Sequence, residues 1–148
     1  MHEQIYQRTN IAKEQLEVAI ELFLARRSFV SALTLAGAAE EILGKALTQR
    51  GKETTLEHEH SVVAPFTELI RKQPYSRKDF VAEKNRVRNA AKHLEVEGKA
   101  TFCADLEDEA LWMIVRAIDN YRRLGCEPTA LMEEFDNWFY ANVVGLAS

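Results

Sequence analysis

Apolar residues recur at three- and four-residue spacing along most of this chain, and no short run alternates apolar with polar between turn residues. A chain patterned this way is committed to amphipathic helices, each of which must bury its apolar stripe against another. Only 6 Gly and 3 Pro occur in 148 residues, too few for the turns of a sandwich or barrel. At 47% hydrophobic residues the chain can fill a core, and at this length folding hides roughly 68–70% of the unfolded surface, so no disulfide or structural metal is required. The expected fold is all-α: a bundle of five main helices plus one short helix, in a single domain over residues 1–148.

The spacing predicts a first helix from about Glu3 to Arg26, with Ile5, Ala12, Leu16, Ala19, Ile20 and Phe23 on its apolar side. A second helix, from about Phe29 to Arg50, ends at Gly51 and carries two apolar ridges, so it belongs at the centre of the bundle. Gly37 and Gly44, two turns apart on it, leave room for a close helix approach. Lys52 to His60 is polar and without period, and reads as a loop. Pro65 suits a first helical turn, opening a short helix that stops near Gln73 ahead of Pro74. Ser76 and Asp79 have capping-box spacing and start the next helix, whose buried face is Val87, Ala90, Ala91 and Leu94, with Gly98 as its limit. Asp105 and Asp108 repeat that pattern before a long helix closed by Gly125. Pro128 opens the last helix, where Leu131, Phe135, Trp138, Phe139 and Val143 form a core or subunit face.

Net charge is −4, unevenly spread. Between Arg71 and Lys99 nine basic residues stand against four acidic ones, an excess of five, so one basic segment sits in an otherwise acidic protein. That segment is either a solvated helix face or a surface for a polyanion. Cys103 and Cys126 are far apart, lack metal or redox spacing and read as small core residues; with a charged N-terminus they predict a reducing, cytoplasmic location. The most apolar stretch, Phe29 to Leu47, contains Glu40, Glu41 and Lys45, so no membrane span is expected.

The segment richest in chemistry is Arg88-Asn89-Ala90-Ala91-Lys92-His93. On a straight helix Arg88 and His93 splay about 110° to either side of the buried face. Asn89 and His93 share a side with Arg86 beside them, while Lys84, Arg88 and Lys92 form a basic ridge. An imidazole that titrates near neutrality, a planar guanidinium fork and an orienting amide are all groups useful at a phosphodiester. A purely structural account also exists: His93 would favour a helix C-terminus, and Arg88 would pair with Glu83 or Glu95.

This hexapeptide resembles the signature of the HEPN superfamily, small all-helical domains with Arg, then Asn, Asp or His, and a His after a gap of four to six residues. Ala36 to Lys45 is similar to the alanine-rich, Glu-containing second helix of those domains. The resemblance implies metal-independent RNA cleavage of the toxin or defence type, without a cofactor, at a cleft where the motifs of two subunits of a homodimer meet. His93 would be the general base on a ribose 2′-hydroxyl or the acid to the leaving oxygen. Arg88 would stabilise phosphoryl charge, and Asn89 would hold Arg88 or His93 in place. The alternative is a catalytically silent helical module that binds a partner protein or a nucleotide.

Glu40 falls inside the apolar arc of the second helix and so needs a partner, with Arg86, Arg88 and His93 the candidates. Glu41 faces outward towards Lys45. Lys84, Arg86 and Lys92 complete the supporting set. Glu57-His58-Glu59-His60 contains the Glu-x-x-His spacing of di-iron bundles, but once only and in the expected loop, so no metal site is assigned to it. Dimerisation is expected through the second or fourth main helix, on the small-residue stripe around Gly37 and Gly44.

Overall fold

Ser28, Thr54, Ser76, Asp105 and Thr129 each accept a backbone N–H three residues on, and each stands immediately before a helix. A computed structural model describes residues 1–93 and 100–145. The order is α1 (Arg8–Leu24), α2 (Phe29–Gln49), α3 (Thr55–Arg71), α4 (Arg77–Lys84), α5 (Arg86–Lys92), α6 (Leu106–Arg123) and α7 (Ala130–Phe139), closed by a π-helical turn (Tyr140–Val144). The described residues contain no strand, so the fold is all-helical.

The second helix is central: α2 packs along both α1 and α6. Leu33, Ala36, Leu43 and Leu47 from α2 meet Leu16, Ile20 and Phe23 from α1 and Ile114, Ala117 and Ile118 from α6 in one core. The Leu, Ile and Phe side chains among these each stabilise the fold by roughly 1.5–3 kcal/mol when fully covered. From α7, Phe135 and Trp138 set their rings edge-on to Phe23, with centroids 5.7 and 5.1 Å away. A second, smaller apolar cluster of Leu56, Ala64, Tyr75 and Phe80 holds α3 and α4 together. Polar groups join the two. Thr55 gives its backbone N–H to Asn120 Oδ1 at 2.9 Å and its hydroxyl to Asp119 Oδ2 at 2.6 Å, and Asn120, fully buried, donates to the Glu40 carbonyl.

Several expectations change. The first helix begins at Arg8 rather than Glu3 and leaves Ile5 fully exposed. The segment read as a loop over Lys52 to His60 is helical from Thr55, because Thr54 and Glu57 form a reciprocal capping box that outweighs the lack of period. Pro65 therefore lies inside α3, not at its start; it sits on the exposed side, where water can satisfy the freed carbonyl. The helix expected to run on from Ser76 breaks at Asn85, so that one element becomes α4 and α5 and the expected six helices become seven. Its expected limits at Leu94 and Gly98 lie outside the described residues. Cys103 is exposed rather than in the core, while Cys126 packs half-buried against it. No helix among the described residues is long and apolar enough to cross a membrane.

Candidate functional site

The break at Asn85 builds the site. Asn85 is buried, with φ −103° and ψ 4°, and its side-chain oxygen accepts a 2.8 Å hydrogen bond from Arg116 Nη2 of α6. Beyond it, α5 presents Arg88 to the middle of α2. The arginine stem crosses α2 at Gly37, where a Cβ would lie 2.4 Å from Arg88 Cδ and 3.1 Å from Cγ. Only glycine leaves room for that crossing. Beyond it, Arg88 Nη1 stands 3.8 Å from Glu40 Oε2, and Arg116 Nη2 stands 3.9 Å from the same oxygen. Side-chain exposure is 12% for Arg88 and 6% for both Glu40 and Arg116, so three ionisable groups meet inside the helix packing.

Burial pushes the Glu40 carboxyl above the ordinary carboxylate range, against the pull of Arg116 and then Arg88. Burial likewise lowers Arg116, with Glu40 opposing. Two guanidiniums to one carboxylate leave a local excess of positive charge. Arg116 is incompletely satisfied: Nη2 also reaches Met113 Sδ at 3.1 Å, and Nε is buried without a partner among the described residues. Asn89, exposed on α5, accepts from Arg88 Nε and Nη2 at 3.4 and 3.3 Å. The Arg88 fork is thus held from both ends, by Glu40 inside and Asn89 outside.

Glu40 therefore takes Arg88 from the expected candidates and Arg116 from outside them; Arg86 and His93 are not its partners. Arg116 escaped the sequence reading, although the signal was there, since it lies among Met113, Ile114 and Ala117 on the apolar side of its helix. The outward pair is as expected, with Lys45 Nζ 2.7 Å from Glu41. Glu83 is engaged by the Tyr75 hydroxyl and Arg71, not by Arg88, and Glu95 lies outside the described residues.

His93 caps α5 in extended backbone geometry (φ −130°, ψ 131°), with an exposed side chain and its N–H on the Asn89 carbonyl. Within the chain it does not join Arg88. A depression of about 300 Å³ has Glu40 and Arg88 on its wall with Asn85, Lys45 and Arg77. Another, of about 380 Å³, takes in Arg116, Arg86, Lys84 and Trp112, with Glu59, Glu83, Asp108 and Glu109 interspersed. Lys92 borders a third, against α1 and α2, and His93 borders none of the three.

The basic ridge of Lys84, Arg88 and Lys92 is interrupted, because Arg88 turns inward. Lys84 lies 3.7 Å from Glu59 and over the Phe80 ring, while Arg77 pairs with Glu57 at 2.6 Å and Arg71 with Glu83 at 3.8 Å. Acids from α3 and α4 thus meet part of the basic excess. The Glu57–His60 spacing is put to structural use: Glu57 closes the α3 capping box, and His60 Nε2 contacts the Tyr75 carbonyl at 2.8 Å. Among the described residues no three His, Cys, Asp or Glu side chains converge as metal ligands. The stripe around Gly37 is filled by Arg88 of the same chain, which removes the reason for placing a dimer contact there. No protein-family model matches the chain, and comparison with curated proteins and with solved structures likewise finds no match.

Proposed function

We propose that this chain is a HEPN-like, metal-independent endoribonuclease that acts as a homodimer. The observation that supports the reading is the positioning of Arg88: Gly37 admits its stem, Glu40 and Asn89 hold its fork, and His93 stands in solvent five residues on. A buried carboxylate between two guanidiniums adds little net stability over a well-packed apolar cluster, which fits a positioning role. Arg88 and His93 open in different directions, so a composite site needs His93 from one copy and Arg88 from another.

In this mechanism His93 removes the proton from a ribose 2′-hydroxyl, and the oxygen attacks the adjacent phosphorus. The bond from phosphorus to the 5′-oxygen breaks, that oxygen takes a proton from water while the protonated His93 returns its own to solvent, and a 2′,3′-cyclic phosphate and a 5′-hydroxyl remain. Arg88 donates to the phosphoryl oxygens as their charge grows, and Asn89 and Glu40 fix its orientation. Lys84, Arg86 and Lys92 supply positive field along the RNA. The test is incubation of the purified protein with RNA in excess chelator. Cyclic-phosphate ends are expected from the parent and absent from His93→Ala; a parent that leaves RNA intact, or a His93→Ala variant that cleaves normally, contradicts the proposal.

A second reading is favoured by the same ion pair seen from inside. Arg88 is already engaged by Glu40, and three neighbouring cations are engaged by acids, as in a silent helical module that binds a partner protein or a nucleotide. On that reading His93→Ala leaves every binding activity unchanged.

A further inference from the structure

Helix α3 contributes Leu56 and Ala64 to the apolar interior and leaves five larger apolar side chains in solvent. Val62 is 53% exposed, Val63 41%, Phe66 68%, Leu69 77% and Ile70 80%. At 100° per residue the five fall within about 60° of Phe66, on one face of the helix. They are also symmetric in sequence about Phe66, at offsets of three and four residues on each side. Such a face is complementary to itself: with a two-fold axis at Phe66, Val62 meets Leu69 of the partner subunit and Val63 meets Ile70 of the partner subunit, each short side chain opposite a long one.

The helix dipoles select the direction: an antiparallel pair lays the positive N-terminal end of each α3 over the negative C-terminal end of the other, whereas a parallel pair stacks like on like. The five side chains offer on the order of 500 Å² per subunit, at the upper end of what a monomer exposes in one patch and more than half of the ~800 Å² per partner of a standard interface.

We infer that the exposed face of α3 is a homodimer interface, in which two copies pair antiparallel across a two-fold axis through Phe66. This interface stands whether or not the chain cleaves RNA, and its test reads mass and cross-linking only. The full chain is expected to sediment as a dimer at tens of micromolar, and Phe66→Glu, on a solvent-facing position, to sediment as a folded monomer by circular dichroism. In a Cys103→Ser, Cys126→Ser background, Phe66→Cys is expected to give a covalent dimer under mild oxidation, while Glu68→Cys, on the opposite side of the helix, does not. A parent that is monomeric up to about 100 µM, a range that reveals dimers of about 5.5 kcal/mol or tighter, overturns the inference, as does a dimer indifferent to Phe66→Glu. Equal cross-linking of the two cysteine variants also overturns it.

Discussion

Glycine 37 and Arg88 form a pair in which each residue accounts for the other. A helix interior normally prefers Ala over Gly by about 1 kcal/mol, so Gly37 is a local cost that the crossing of Arg88 explains. Gly37→Ala is expected to destabilise the protein by about 1–3 kcal/mol, because Arg88 cannot move aside without leaving Glu40. In an Arg88→Ala background the same change is expected to become neutral or stabilising, since only the helix preference remains. A double-mutant cycle by urea unfolding checks this; additive effects would mean that the two side chains do not interact. The need of Glu40 for a partner was legible in the sequence, because a carboxylate inside an apolar arc must be compensated. The identity of the second partner was not, because Arg116 reaches Glu40 only through the packing of α6 on α2.

At the level of elements, the helices with clean periods and capped ends were legible, and α2 runs from Phe29 to within one residue of its expected end. What sequence period hides is a helix whose interior is polar or whose line is broken by a tertiary contact. The start of α3 is the first case: Thr54 and Glu57 cap it, and Thr55 ties it to α6 through Asp119 at 2.6 Å and through Asn120. Asn85 is the second, for its break accompanies a hydrogen bond from Arg116, thirty-one residues away in sequence. The Thr55 tie has a pH signature. Burial alone would raise the Asp119 carboxyl, but hydrogen bonds from Thr55 and Arg123 outweigh it and hold Asp119 below the usual carboxylate value. A lowered folded-state pKa gives stability that is present above the unfolded value, ~3.9, and is lost as pH falls through the folded one. Asp119→Asn is therefore expected to lower stability near neutrality and to flatten the acid limb of a stability profile; an unchanged limb would mean that Asp119 does not carry the tie.

At the scale of the whole molecule, a chain of net charge −4 keeps a basic segment that its own acids partly neutralise. Sequence counting placed that excess but not its pairing, because the neutralising Glu57 and Glu59 lie on another helix. On the proposed function Lys92, which is exposed, is a stronger source of field for RNA than Lys84, which faces Glu59. In RNA binding measured against salt, Lys92→Ala is expected to reduce the logarithmic slope by about 0.7, as for one phosphate contact on a single strand, and Lys84→Ala by less. Equal slopes for both variants and the parent would remove this segment from the RNA surface.

The central claim is that each cleavage site draws His93 from one copy and Arg88 from the other, and mixing inactive variants tests it most directly. Arg88→Ala and His93→Ala are each expected to be inactive on RNA in excess chelator. Equilibrated together, half the dimers are mixed, and each mixed dimer regains one of its two sites, so about a quarter of the parent rate is predicted. A mixture that stays as inactive as its components would contradict the account.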